Sequence, residues 1–261
     1  AQRSAAEGIQ MKIMACYSSK GGVGKTATAV NLAWWFAARG RSTLLFDLDP
    51  QGASSYYFRV RAANRKWGKR FLDTCGDLME QVRASDYPNL DVLPAHKGFR
   101  NADAMMHSAD KGRDQLSHVL EGLEAHYDAV VLDCPPTMGP LAEGIFVAAD
   151  RIMVPVVPTT LAERSYEQLV QFFADKGWKE SRLRPFFTMA QVRKTLHRET
   201  MHSLRVRHPR FARAFVPHAR DVEYMGQHQA PLMAYAPRCV AAQAYHAIFV
   251  EHCGKYVRSV A

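Results

Sequence analysis

Cysteine is scarce and unpatterned in this sequence. Its five residues, Cys16, Cys75, Cys134, Cys239 and Cys253, are odd in number, and no two stand at Cys-x-x-Cys spacing. That argues against a disulfide framework and a thiolate zinc site, and it fits a reducing compartment such as the cytoplasm. Long apolar runs are missing as well. No stretch approaches the roughly 20 residues that cross a bilayer. Ala1 to Gln10 lacks the apolar core of a secretory signal, so these ten residues are expected to be a disordered extension or a remnant of cloning ahead of a natural start at Met11. The eleven histidines are scattered without metal-ligand spacing and read as ordinary core or surface groups. Acidic charge is in the minority, 25 Asp and Glu against 34 Lys and Arg.

What is present is a chain of 261 residues with 48% apolar content, enough to bury one large core over residues 11–261. Apolar runs alternate with helical periodicity from end to end. Strands are expected at Met11 to Tyr17, Ser42 to Asp47, Leu90 to Leu93, Ala129 to Asp133, Arg151 to Val157, Pro185 to Ala190 and Ala214 to Pro217. Helices are expected at Thr26 to Arg39, Arg113 to His126, Leu161 to Lys176, Thr195 to Arg207 and Val240 to Tyr256. This alternation predicts an α/β fold with a mainly parallel, twisted sheet and helices on both faces. Tyr56 to Gly76 is the least regular part and is expected to be an exposed insertion carrying a short helix.

The first strand runs into Ser18-Ser19-Lys20-Gly21-Gly22-Val23-Gly24-Lys25-Thr26, which opens the first helix. Glycines at a strand-to-helix turn let backbone N–H groups point at an anion, the arrangement of a phosphate-binding loop. Lys20 to Ala27 (Lys20, Gly21, Gly22, Val23, Gly24, Lys25, Thr26 and Ala27) would cradle the phosphates, Lys25 would reach the β and γ groups, and the Thr26 hydroxyl would hold Mg²⁺. Two further strands end in acids. In Asp47-Leu48-Asp49-Pro50-Gln51-Gly52, alternation projects Asp47 and Asp49 to one face and Leu48 to the other. Asp133, in Leu132-Asp133-Cys134-Pro135-Pro136, fits a carboxylate that holds Mg²⁺ through water.

These three segments resemble the ParA/MinD family of deviant Walker A ATPases, whose loop reads Lys-Gly-Gly-x-Gly-Lys-Thr and whose two switches read Asp-x-Asp-Pro-Gln-Gly and Asp-x-Pro-Pro. The resemblance is to the P-loop NTPase fold in its small single-domain form, without an N-terminal helix-turn-helix. It implies a nucleotide-sandwich homodimer in which Lys20 crosses to the nucleotide of the other subunit. It also implies that Asp49 orients the attacking water and that Asp47 supports the metal and its water shell. Catalysis would then rest on Lys20, Lys25 and Asp49, with Thr26, Asp47 and Asp133 at the metal. No strong general base is present, so slow ATP hydrolysis is expected. An Asn-Lys-x-Asp segment that would read guanine is absent, which favours adenine; Thr188 or Gln191 stands closest to the family's base-reading Asn.

The positive charge is concentrated. Lys176 to Arg220 carries twelve Lys and Arg against two acids, a balance of +10 within a net +9, so the rest of the chain is near neutral. Arg193, Lys194, Arg198, Arg205, Arg207, Arg210 and Arg213 cluster around the expected Thr195 to Arg207 helix and would suit a DNA backbone, without reading its sequence. A second basic run, Arg59, Arg61, Arg65, Lys66, Lys69 and Arg70 around Trp67, would add to that surface or meet a partner. By resemblance the chain is expected to bind nucleoid DNA nonspecifically, to be stimulated by a ParB-like or other adaptor, and to position a plasmid, chromosome, chemoreceptor cluster or microcompartment such as a carboxysome. A MinD-like membrane role is the alternative. The end of the chain, Ala241 to Ala261, is alanine-rich and weakly basic, and reads instead as a helix packed on the sheet.

Overall fold

The computed structural model describes residues 10–62, 75–108 and 114–257. Along the chain the elements are β1 (Lys12–Cys16), α1 (Lys25–Ala37), β2 (Thr43–Asp47), α2 (Ala53–Tyr57), α3 (Cys75–Met79), β3 (Arg83–Ala84), β4 (Leu90–Leu93), α4 (Ala102–Ser108), α5 (Gln115–Glu121) and β5 (Ala129–Asp133). They continue with α6 (Pro140–Ala148), β6 (Arg151–Val156), α7 (Thr160–Asp175), β7 (Leu183–Ala190), α8 (Thr195–Arg207), β8 (Phe215–Pro217), α9 (Arg220–Glu223), α10 (Met225–His228), α11 (Leu232–Tyr235) and α12 (Val240–Cys253).

The continuous apolar runs become strands covered on both faces. They form an eight-stranded sheet in the order β3-β4-β2-β5-β1-β6-β7-β8, parallel throughout except for the antiparallel β3 edge. Alternation divides the side chains between two cores. Ile13, Ala15, Tyr17, Phe46, Val130 and Leu132 join residues of α5, α6, α7 and α8 on one face. Met14, Cys16, Leu45 and Val131 join α1 and α12 on the other. Each large apolar side chain removed from water in this way contributes about 1.5–3 kcal/mol, so both faces hold the sheet in place. β2 and β5 share the odd-numbered register of Leu45 and Val131, and Asp47 and Asp133 pair across it, so both acids emerge on the α1 face.

Several boundaries differ from expectation. The expected helix at Arg113 to His126 forms only over Gln115–Glu121. Gly122 closes it, at a point where an added Cβ would lie 2.6 Å from the Cys75 Cβ. α6 was not anticipated, because Gly139, Pro140 and Gly144 look like breakers; Pro140 sits instead at the first helical position, where its missing N–H costs nothing. Of the expected 56–76 insertion, residues 63–74, and with them Arg65, Lys66, Trp67, Lys69 and Arg70, lie outside the described residues. The expected 1–10 extension lies outside them too, save for Gln10. α12 packs on the sheet as anticipated, with Ala241, Tyr245, Ile248 and Phe249 buried. Among the described residues no helix is long and apolar enough to cross a membrane.

Candidate functional site

The loop between β1 and α1 turns through two glycines in the left-handed region, Gly22 at φ 71° and Gly24 at φ 88°. An L side chain would be strained at either position. Gly24 caps α1 without a side chain, leaving the first amides of the helix to serve an anion. Lys25 is only 7% exposed, and its ammonium donates to the Lys20 carbonyl at 2.9 Å. Burial lowers its pKa, while Asp133, Cys134 and Asp49 nearby oppose that shift. A buried ammonium with one carbonyl partner retains donors for further acceptors. Lys20 is half-buried on the same loop, and its amide donates to the Ser18 hydroxyl.

Facing this loop are the two buried acids. Asp47 Oδ2 accepts from the Ser55 amide at 2.8 Å and the Ser55 hydroxyl at 2.7 Å, and Asp133 Oδ2 accepts from the Ser54 hydroxyl at 2.6 Å. The Oδ1 atom of each is buried without a hydrogen-bond partner. Burial raises both carboxyl pKa values. The neighbouring Asp133 adds to the rise at Asp47, whereas Ser54, Thr26 and Lys25 oppose it at Asp133. The open oxygens of Asp47 and Asp133, with the Thr26 hydroxyl next to Asp133, fit a small hard cation that keeps most of its water. Among the described residues no three His, Cys, Asp or Glu side chains converge as a closed metal cage. The donor set therefore suits Mg²⁺ shared with phosphate oxygens. The sequence did not single out Ser54 and Ser55, although their place just after the Gln51-Gly52 turn was the one available signal.

Asp49 is half-exposed beyond the end of β2, and its Oδ1 accepts from the Gln51 amide at 2.9 Å. It lines a cleft of about 310 Å³ with Pro50 and Gln51 on one side and Pro135, Pro136 and Thr137 on the other. The two segments expected to be switches thus face each other across open space. Tyr17, at the end of β1, donates its hydroxyl to the Thr137 carbonyl at 3.1 Å. Thr188 is buried next to the loop, its Oγ1 3.5 Å from the point where a Cβ on Gly24 would lie. The Gln191 backbone N–H donates to His197 Nδ1 at 3.1 Å.

The basic stripe is less uniform than the charge count implies. Arg205 is half-buried, lies over the Phe187 ring, and donates to the carbonyls of Ala212 and Arg213 at 3.1 and 2.7 Å, so it is a packing residue rather than an open contact. Arg207 pairs with Glu163 and Glu167 of α7, and Arg210 pairs with Glu180 at 3.2 Å. Arg198 folds back on the carbonyls of Val192 and Arg193 and on the Thr195 hydroxyl. The exposed side chains of Arg193, Lys194 and Arg213 form no ion pair with a described residue. The difference arises because long side chains find carbonyls and carboxylates on neighbouring elements that sequence distance does not reveal.

Comparison with known proteins places this geometry in context. The family described as an AAA domain matches residues 11–181. The sporulation initiation inhibitor protein Soj of Bacillus subtilis is 32% identical over 160 residues, 61% of this chain and 63% of Soj, so the match spans just under two thirds of that relative. The chromosome partitioning protein ParA of Caulobacter vibrioides is 28% identical over 243 residues, 90% of this chain and 91% of that one. Two solved structures share the fold. The Cyanothece McdA(D38A)–ATP complex aligns with a TM-score of 0.80 at 18% identity, covering 97% of this chain and 100% of that one. MinD of Pyrococcus horikoshii, complexed with Mg-ADP, aligns with a TM-score of 0.76 at 18% identity, covering 95% and 100%.

Proposed function

The chain belongs to the ParA/MinD family of deviant Walker A ATPases, and from that premise we propose that it binds ATP with Mg²⁺ at the Lys20–Ala27 loop and cycles between a free and a DNA-bound state. The observation that carries this reading is the juxtaposition at one sheet edge of a buried, underused Lys25 with two buried carboxylates, Asp47 and Asp133, each retaining an open oxygen. Buried ionisable groups left short of partners are costly unless a ligand completes them.

In the proposed cycle, the amides of Gly21 to Thr26 bind the phosphate oxygens, and Lys25 neutralises charge on the β and γ groups. Thr26, Asp47 and Asp133 would hold Mg²⁺, which when bound neutralises phosphate charge and fixes the phosphate chain. Asp49, half-exposed on the cleft, orients a water. Two copies close face to face, and Lys20 of each reaches the nucleotide of the other. With no strong general base, hydrolysis is slow until a ParB-like or other adaptor stimulates it. The closed dimer binds nucleoid DNA nonspecifically through Arg193, Lys194 and Arg213, with Arg198, Arg207 and Arg210 able to exchange internal partners for phosphates. The protein acts in the cytoplasm to position or segregate a cargo.

Substitution of the two residues that separate this cycle from simple nucleotide storage provides the test. Lys20→Ala and Asp49→Ala are expected to abolish partner-stimulated hydrolysis while ATP binding, followed by a fluorescent analogue, changes less than about threefold. Unchanged turnover in either variant would remove the assigned role.

A further inference from the structure

We propose that Asp103, on α4, is a positioning residue for the second switch: its carboxylate caps the N-terminus of α6 and so sets the Pro135 to Gly139 loop between Asp133 and that helix. The inference rests on the ATPase reading for its functional consequence and on geometry for the cap itself.

α6 cannot cap itself. Its N-cap residue is Gly139, which has no side chain, and its first residue is Pro140, which has no N–H. The first amide able to donate is Leu141, and it donates to Asp103 Oδ1 at 2.9 Å. Gly139 supplies the matching surface. Its backbone is extended, at φ −131° and ψ −170°, a conformation open to any residue, so the glycine is not needed for conformational freedom. It is needed for space, because a Cβ there would lie 2.6–2.7 Å from the Asp103 carboxylate. A carboxylate against a helix N-terminus also meets the positive end of the helix dipole.

The middle of the loop is tied independently. The Tyr17 hydroxyl holds the Thr137 carbonyl, and the Tyr17 ring meets Phe146 of α6 edge-on at 4.7 Å. Pro136 and Thr137 are exposed and line the cleft that also holds Asp49 to Gln51, while the Tyr17 hydroxyl lies 3.4 Å from the Met138 sulfur as well. Asp103 lines the same cleft as Asp49, but its carboxylate is hydrogen-bonded to the Leu141 amide and to none of Lys20, Lys25, Asp47, Asp49 or Asp133. It acts through the helix that follows Asp133.

The experiment pairs hydrogen exchange on the nucleotide-free protein with steady-state hydrolysis. Asp103→Ala should speed exchange at Leu141 to Glu143 about five- to tenfold, the size expected for a lost cap. Asp103→Asn, which keeps the acceptor, should restore most of the protection, and Gly139→Ala should reproduce the alanine effect by displacing the carboxylate. In hydrolysis, Asp103→Ala should lower kcat about tenfold with KM for ATP changed less than about twofold. Unchanged exchange in Asp103→Ala would overturn the cap. Faster exchange with unchanged kcat would reduce Asp103 to a structural cap and overturn its role at the switch. A parent protein that hydrolyses no ATP would overturn the ATPase reading and the positioning role together, while the exchange data still decide the cap.

Discussion

At the carboxyl edge of β1, β2 and β5 the charges are buried and short of partners, whereas along α8 they are exposed and largely supplied with them. Lys25 has one carbonyl, and Asp47 and Asp133 each hold an open oxygen. Arg205, Arg207 and Arg210, by contrast, have internal carbonyls or carboxylates. The first arrangement is unfavourable without a ligand and therefore points to one. The second, apart from the buried Arg205 Nε, is supplied with internal partners, and only its open members argue for an external polyanion. Charge count alone ranks the α8 region higher; satisfaction of that charge reverses the order.

The sharpest way to break this comparison is at the first region. Lys25→Ala should weaken nucleotide binding at least about 100-fold, measured by equilibrium titration, because it removes a buried charge-assisted donor. A change below about threefold would mean that the loop is not the phosphate site. In the second region, Arg193→Ala, Lys194→Ala and Arg213→Ala combined should weaken duplex DNA binding at least about tenfold and reduce the salt slope by about three. Arg205→Ala should instead cost about 1–2 kcal/mol of stability in urea unfolding and change the salt slope by less than one. An equal loss of salt slope in both variants would erase the distinction between open and occupied arginines.

The smallest effect asks what burial alone does away from both regions. His252 on α12 is buried with its Nε2 3.3 Å from the Pro185 carbonyl, and burial pushes its pKa down from 6.5 to about 4. The unfolded chain therefore binds this proton first as pH falls. The stability it affects is full above pH 6.5 and is lost toward pH 4, with about 1 kcal/mol gone between pH 7 and pH 5.5. His252→Gln should flatten that part of the stability profile, and an unchanged slope would show that the imidazole is free to charge in the fold.

The difference between the two regions also explains what was legible beforehand. β1, β2 and β5 appear within two residues of expectation because continuous apolar runs ending at glycine or acid fix both element and edge. The loop and its acids follow, since a strand's alternation and a glycine turn determine where Lys25, Asp47 and Asp133 project. Short-range pattern did not reveal β3, two residues long, or α6, whose start looks like a turn and whose cap comes from Asp103, 38 positions away. Nor did it reveal Ser54 and Ser55 as the partners of the two acids, or the carbonyls that occupy Arg205. In each case the partner is set by tertiary approach rather than by spacing along the chain.

Binding to nonspecific duplex DNA, measured with ATP, with ADP and without nucleotide across a salt titration, tests most directly whether the two regions work as one device. The account predicts binding that requires ATP and falls steeply with salt. Binding that is equal in all three states, or absent from all of them, would contradict it.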